Sequence, residues 1–195
     1  LALTGIFLIY AGRVSAEDTG TVQVLNLSES GYEEAHSISF SSDGKLIAVG
    51  GTSGIYLFDY QKLSKTGFIQ TSEWARSLAF VPGTAELAAG LFDHTVKFWE
   101  IPSLKPVRIL TGPGGWVRSI SISADGALIA SASDDEKLRV WRGQDGSPVL
   151  VIDKDTPGLR AVAISPDGKL AAGALGDNMV RVWSVPDGQL IYTLK

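Results

Sequence analysis

A repeat with a period close to 42 residues constrains this chain more than any other feature. Each unit contains two apolar segments around a short polar turn, followed by a third segment that ends in an aromatic residue. These aromatic residues lie 41, 42 and 42 residues apart: Phe58, Trp99, Trp141 and Trp183. A fixed period of this length indicates a repeat architecture, in which each unit buries its apolar faces against its neighbours.

Every part of the repeat has the character of a β-strand or a tight turn. Asp43-Gly44, Asp125-Gly126 and Asp167-Gly168 are dipeptides typical of hairpins, because they tolerate the positive φ angles that such turns require. Residues 96–99 and 138–141 alternate between apolar and basic or bulky residues with a period of two, as half-buried strands do. The pattern predicts four antiparallel strands per repeat and no helix. The predicted repeats cover residues 22–63, 64–105, 106–147 and 148–189, followed by a strand over 190–195.

A single four-stranded sheet of this size cannot cover both of its apolar faces. Radial stacking against copies of itself solves this problem, and the result is a β-propeller. The second strands contain small residues, such as Ala88-Ala89-Gly90, which let neighbouring sheets approach closely near the crowded axis. We therefore expect an all-β propeller built from four-stranded antiparallel blades.

The sequence over residues 116–141 and 159–183 resembles WD40 repeats, and the resemblance extends over about residues 22–195. The Gly-His pair of that family is absent, and its Trp-Asp pair appears only in altered forms such as Trp99-Glu100. The family's turn aspartate is matched by Asp93, Asp135 and Asp177. Without the histidine, the buried tetrad of the family is incomplete, so we expect these aspartates to cap their own turns.

The resemblance also implies a ring, with about six to eight blades and most often seven. Four blades are present, and residues 22–27 form a spare outer strand that would complete a further blade. We expect an open arc of a larger ring within a longer chain. An eight-bladed ring made by two chains and a closed four-bladed ring remain alternatives. On the first two interpretations, missing blades or a second chain would close the ring.

Residues 1–16 have the pattern of a secretory signal peptide that lacks its basic start. An apolar run over residues 1–10 is followed by Val14-Ser15-Ala16, where small residues precede the expected cleavage site. The run is shorter than a membrane-spanning helix requires, so we expect no stable span in the mature chain. The predicted propeller then covers residues 17–195, and export from the cytoplasm is the expected location. The alternative is a strand or helix at the domain edge of a cytoplasmic protein.

Composition narrows the classes of function. A net charge of −4 argues against nucleic acid as a partner, because binding phosphates needs a basic face. The chain has two histidines and no cysteine, which leaves little material for a metal site and none for a thiol nucleophile. No serine-hydrolase or phosphate-binding motif occurs. We therefore predict no catalytic residues, no metal site and no cofactor.

Two columns of the repeat carry residue types that favour partner binding. One column contains His36, Arg76, Arg118 and Arg160, and two residues earlier another contains Trp74 and Trp116. The resemblance implies that both columns open the innermost strands, at the mouth of the central channel where partners commonly dock. Tryptophan and arginine are enriched among residues that dominate interface energies.

From these columns we predict a non-catalytic scaffold that binds a protein or peptide through these six residues. A column of arginines repels itself, which an acidic partner would relieve. One alternative is that the tryptophans are packed core and that Glu73, Asp153 and Asp155 neutralise the arginines. Another is an accessory propeller of a larger exported enzyme, a peptidase or a redox enzyme, whose catalytic part lies elsewhere.

Overall fold

The computed structural model describes residues 8–10, 24–26 and 33–195. Strands β1 (Leu8–Tyr10) and β2 (Val24–Asn26) pair in parallel as a separate two-stranded sheet. Apart from β1, the predicted signal peptide and its cleavage site lie outside the described residues. No helix long enough and apolar enough to cross a membrane occurs in the described part of the chain.

Four antiparallel four-stranded sheets follow, which we number blades 1 to 4 in chain order. Blade 1 contains β3 (Ala35–Phe40), β4 (Leu46–Gly51), β5 (Gly54–Asp59) and β6 (Ser64–Gln70). Blade 2 contains β7 (Ala75–Phe80), β8 (Glu86–Leu91), β9 (Val96–Glu100) and β10 (Lys105–Leu110). Blade 3 contains β11 (Val117–Ile122), β12 (Leu128–Ser133), β13 (Leu138–Arg142) and β14 (Pro148–Ile152). Blade 4 contains β15 (Ala161–Ile164), β16 (Leu170–Ala174), β17 (Val180–Ser184) and β18 (Leu190–Leu194).

The blades fan out from their first strands. Within each blade every strand pairs with the next one along the chain, and β3, β7, β11 and β15 pack against one another in succession. No comparable contact joins β3 to β15 among the described residues, so the four blades form an open arc. The prediction of an all-β fold made of propeller blades is confirmed. The sequence repeat is offset from the blade, since the strand that opens each repeat completes the blade before it.

The Asp-Gly turns are fixed by their own side chains. In blade 1, Asp43 accepts hydrogen bonds from the hydroxyl of Ser41 at 2.7 Å and from the backbone N–H of Lys45 at 3.1 Å. The Ser41 hydroxyl oxygen in turn accepts the N–H of Leu46 at 2.9 Å. Gly44 has a φ of 68°, a conformation that most side chains disfavour. The same network recurs in blades 3 and 4, and it sets the register of each first hairpin.

The hydrophobic core lies between the blades. Trp99, Trp141 and Trp183 are buried, and each packs against the preceding blade; Trp141, for example, shares a cluster with Phe98. Small residues permit this close approach: a Cβ on Gly90 would come within 2.6 Å of the side chain of Val117. Phe58 holds the equivalent position in blade 1 and is also buried.

Serine hydroxyls connect the innermost strands of neighbouring blades. The oxygen of Ser37 accepts the N–H of Leu78 at 2.9 Å, and further bonds of this kind follow at the next two boundaries. The remaining pairs are Ser39 with Phe80, Ser77 with Ile120, Ser119 with Val162 and Ser121 with Ile164. These bonds satisfy main-chain donors that point away from their own sheet. In blade 4 the corresponding positions are Ala161 and Ala163.

Candidate partner-binding site

The predicted column of His36 and three arginines lies at one end of the blades. In blades 1 to 3 the pairing of the first two strands contains a β-bulge, and the bulged residues are His36, Arg76 and Arg118. Bulges re-aim side chains and are common beside functional sites. Blade 4 pairs in continuous register, and its Arg160 directly precedes β15. We call this end of the arc the bulge end.

Four rings stack in one row across the bulge end. His36 lies on Trp74 with ring centroids 5.0 Å apart, and Trp74 lies on Phe92 at 5.3 Å, with 20° between the planes in both pairs. Phe92 lies on Trp116 at 4.5 Å with planes 6° apart. We call His36, Trp74, Phe92 and Trp116 the aromatic row. It brings together three of the predicted partner-binding residues, one from each of blades 1 to 3.

Phe92 completes the row and was not among the predicted residues. It lies in the turn between β8 and β9, where its N–H donates to the carbonyl oxygen of Trp74 at 3.2 Å. In blade 3 the equivalent N–H is that of Asp134, which donates to the carbonyl of Trp116 at 3.0 Å. The main chain therefore holds this turn against the Trp position in both blades, and Phe92 fills the space between two tryptophans.

Trp74 and Trp116 are 41% and 45% exposed. This exposure argues against the alternative that the pair is packed core. The other three tryptophans of the chain, at the ends of third strands, are buried between blades. The aromatic row thus presents two large side chains to solvent in one continuous surface.

The arginines of the column differ in their partners. Arg118 makes a bidentate pair with Asp134, at 2.5 and 2.7 Å, and its guanidinium carbon lies 5.6 Å from the ring centre of Trp116. The hydrogen bond that Arg118 donates to Asp134 raises the pKa of the guanidinium, against the opposing effect of burial. Arg76 donates to the carbonyl oxygen of His36 at 3.3 Å. Arg160 is exposed and makes no side-chain hydrogen bond or ion pair with any described residue.

The acids that neutralise this column are not those of the alternative interpretation. Asp134 is the partner of Arg118. Glu73, Asp153 and Asp155 form no ion pair with the column within residues 33–195. The mutual repulsion of the arginines is therefore reduced at blade 3 and not at blade 4.

The surroundings of His36 favour its neutral form. Burial lowers its pKa, the positive charge of Arg76 lowers it further, and the negative charges of Glu34 and Glu33 only partly oppose this shift. Its Nε2 atom is buried and has no hydrogen-bond partner among the described residues. A neutral imidazole stacked on Trp74 behaves as an aromatic surface and adds no charge to the row.

The turn aspartates cap their own turns at the bulge end. Asp93, Asp135 and Asp177 each accept the N–H of the residue two positions later, at 3.1–3.2 Å. Each also pairs with a basic residue four positions on, within 2.7 Å. Blade 1 has no aspartate in this turn; there Glu33 accepts the N–H and the hydroxyl of Ser53 at 2.8 and 2.7 Å. These acids hold the bulge end in shape.

Among these turn aspartates, Asp135 has the most strongly lowered pKa. Burial would raise the pKa of its carboxyl, but the bonds from Arg139 and from the N–H of Gly114 lower it to about 2. The Gly114 bond, at 2.7 Å, connects the turn to the segment that enters blade 3. Asp135 thus anchors the connector that precedes Trp116.

No group of three or more histidine, aspartate or glutamate side chains in the described part of the chain could hold a metal ion. A cleft of about 450 Å³ lies between blades 2 and 3 at the opposite end, beside the ion pair of Arg108 with Glu86 at 2.7 Å. The guanidinium of Arg108 also covers the ring of Phe98 at 4.0 Å. Both side chains of that pair are largely buried, and the Nε atom of Arg108 has no hydrogen-bond partner among the described residues.

Comparison with known protein families agrees with this architecture. The family model for the WD domain, G-beta repeat (WD40) matches residues 104–142 and 146–184. The two matches run from the outer strand of one blade through the third strand of the next, β10 to β13 and β14 to β17. A comparison with curated proteins gave no match.

Proposed function

We propose that this chain, two of whose repeats match the WD40 family model, is a non-catalytic scaffold that binds a protein or peptide through the aromatic row and its neighbouring arginines. Repeats of this family generally serve as interaction scaffolds. The partner-binding residues of the proposal are Trp74, Arg76, Trp116, Arg118, Arg160 and His36, with Phe92 added.

The observation behind this proposal is the different burial of the five tryptophans. Three of them pack between blades, so packing alone explains why tryptophan recurs at that position in three repeats. Trp74 and Trp116 are not buried between blades, and they lie instead in one stacked and exposed row. Exposed, rigid aromatic side chains beside arginine are the residues that most often dominate the energy of an interface.

Selection of a displayed peptide library on the full chain tests the proposal. Selected peptides should bind Trp74→Ala and Trp116→Ala about 30-fold more weakly, which corresponds to about 2 kcal/mol for a dominant contact. Tyr60→Ala is the matched control, because Tyr60 is an exposed aromatic residue at the opposite end of blade 1. Peptides that bind all three variants as well as the parent chain would contradict the proposal.

The outer face of blade 4 supports the further proposal that another blade packs there and extends the ring. Leu138 and Ile152 of blade 3 are 0% and 5% exposed, whereas Val180 and Leu194 at the equivalent positions of blade 4 are 37% and 58% exposed. Adjacent apolar side chains this exposed usually mark an interface.

Dye binding and light scattering on the full chain test this face. Val180→Ser with Leu194→Ser should reduce the binding of a hydrophobic dye, or the self-association of the chain, while Val149→Ser on the rim of blade 3 should not. If the double variant leaves both properties unchanged, no further blade is needed there.

Export is the proposed location, on the strength of the apolar run and the small residues Val14-Ser15-Ala16. The test is N-terminal sequencing of the protein from its natural source. A mature chain that begins at Glu17 supports export, and an intact apolar run supports the cytoplasmic alternative.

A further inference from the structure

The aromatic row stops before blade 4, where glycines occupy its positions. The repeat places Trp74 and Phe92 at these positions in blade 2, and Trp116 and Asp134 in blade 3. In blade 4 the same positions are Gly158 and Gly176. We call the space above these two residues the glycine gap.

The floor of the gap is main chain held in place by hydrogen bonds. A Cβ on Gly158 would lie 3.1 Å from the Cα of Gly176, so the two backbones are in contact. The N–H of Gly176 donates to the carbonyl oxygen of Pro157 at 3.0 Å. The N–H of Gly158 donates to a carboxylate oxygen of Glu136 at 2.9 Å. The gap therefore keeps its shape without side chains to fill it.

Blade 3 forms one border of the gap. Glu136, which contacts Gly158, belongs to the same turn as Asp134, and Asp134 is bonded to both the main chain of Trp116 and the side chain of Arg118. A ring that enters the gap would extend the row beyond Trp116 and meet the planar Arg118–Asp134 pair. Planar guanidinium groups stack well on aromatic faces.

Arg160 supplies the charge at this site. It lies two residues after Gly158, and its exposed guanidinium has no hydrogen-bond or ion-pair partner among the described residues. By contrast, Arg76 donates to the main-chain carbonyl of His36 and Arg118 pairs with Asp134. A carboxylate is the complementary group. Glu136 places a negative charge on the same border, which disfavours a small anion alone and favours a ligand that also brings an aromatic ring.

We propose that the partner inserts an aromatic side chain into the glycine gap and places a neighbouring carboxylate against Arg160. This inference rests on the proposed function, because it names the chemistry of the partner that the aromatic row would bind. The recognised class is a peptide segment with an aromatic residue next to an acidic one.

Three dipeptides serve as probes on the ¹⁵N-labelled full chain: acetyl-Phe-Glu-amide, acetyl-Phe-Gln-amide and acetyl-Ala-Glu-amide. The first should give saturable shifts of the indole N–H signal of Trp116 and bind about fivefold or more tightly than the other two. The indole signals of Trp99, Trp141 and Trp183 should not move, which shows that the fold is intact. Absence of saturable binding by acetyl-Phe-Glu-amide overturns the proposal.

Two protein variants separate the two halves of the site. Arg160→Gln should abolish the difference between the Glu and Gln probes and leave the Gln probe unaffected. Gly176→Phe, which places the blade 2 residue type in the gap, should abolish binding of both Phe probes. Equal binding of the Glu probe to Arg160→Gln and to the parent chain would show that no carboxylate is read at this position.

The same variants distinguish this inference from the proposed function. If library-selected peptides lose binding to Trp116→Ala but bind Gly176→Phe and Arg160→Gln normally, the scaffold function stands and the glycine gap is not part of its site. If they bind all variants equally, the proposed function itself is wrong.

Discussion

Phe92 and Trp116 stack with their ring centroids 4.5 Å apart and their planes 6° apart, although they belong to different blades. Phe92 also stacks on Trp74 of its own blade. One phenylalanine thus joins two exposed tryptophans into a single surface, across the boundary between blades 2 and 3. The predictions below test this surface and the packing beneath it.

Phe92→Ala should weaken binding of library-selected peptides and shift the fluorescence of Trp74 and Trp116, because both tryptophans lose a stacking partner. Each stack contributes about 0.5–1.5 kcal/mol beyond simple burial. We therefore expect the free energy of unfolding to fall by about 1–3 kcal/mol in urea titrations. Phe92→Leu is the matched control: it keeps apolar volume but removes the stack, so equal peptide binding by both variants and the parent chain would argue against a role for the row.

Trp141→Ala and Trp116→Ala should differ in their effect on stability. Trp141 is buried between blades 2 and 3, so its truncation leaves a cavity and should cost about 3–5 kcal/mol. Trp116 is 45% exposed and its loss removes its stack on Phe92, so truncation should cost about 1–2 kcal/mol. Urea unfolding monitored by circular dichroism measures both. Similar losses for the two variants would contradict the assignment of Trp116 to a binding surface.

Ser119→Ala should destabilise the chain by about 1–3 kcal/mol, because it leaves the main-chain N–H of Val162 without its acceptor. The reciprocal change, Ala161→Ser in blade 4, adds a hydroxyl where no described strand follows and should leave the free energy of unfolding unchanged. Hydrogen exchange at the Val162 amide gives an independent readout. An amide protected equally in the Ser119→Ala variant and in the parent chain would show that the hydroxyl bond is dispensable.

Acid should remove stability through Asp135. The pKa of this carboxyl is about 2 in the folded chain, below its ordinary value of 3.8. A lowered folded-state pKa stabilises the fold above the unfolded-state value, and this stabilisation is lost as pH falls from about 4 to about 2. The contribution is on the order of 2 kcal/mol.

Asp135→Asn tests this dependence. The variant should be less stable than the parent chain at pH 7, and the difference between the two should shrink as pH falls towards 2. Asp153→Asn is the control, because Asp153 is exposed and its side chain makes no hydrogen bond or ion pair with any described residue. A stability difference for Asp135→Asn that stays constant between pH 7 and pH 2 would contradict the assignment.

The period and the turn dipeptides were sufficient to predict the blades, because local turn chemistry and strand alternation determine each sheet. The repeat register also predicted that His36, Trp74 and Trp116 lie at the same end of the blades, because equivalent positions of neighbouring blades lie at the same level along the propeller axis. Their role in binding remains a prediction. Phe92 could not be found in this way, because its column contains Thr52, Asp134 and Gly176 and shows no shared residue type.

The repeat pattern also could not predict contacts between residues at different positions of the repeat. The serine hydroxyls accept hydrogen bonds from main-chain N–H groups of the next blade. Because almost any residue has such an N–H, the residue type at the donor position does not reveal the bond. In blade 1, Tyr56 occupies the position of the basic residue that pairs with the turn aspartate in the other blades. Burial raises the pKa of Tyr56, and the charge of Glu33 and a hydrogen bond with it raise that pKa further. In blade 1 a hydrogen bond between Tyr56 and Glu33 therefore replaces the aspartate–base ion pair of the other blades, and Glu33 comes from the segment before β3.

The serine hydrogen bonds between blades place unequal constraints on the sequences of the two blades that they join. At each boundary, one blade must supply a serine side chain as the acceptor. The next blade supplies only a main-chain N–H, which every residue except proline possesses. A unit can therefore diverge widely on its receiving side and still fit its predecessor. The bond between two blades therefore depends on the serine of one blade alone. Repeats can be duplicated or exchanged without a matching substitution in the neighbouring repeat.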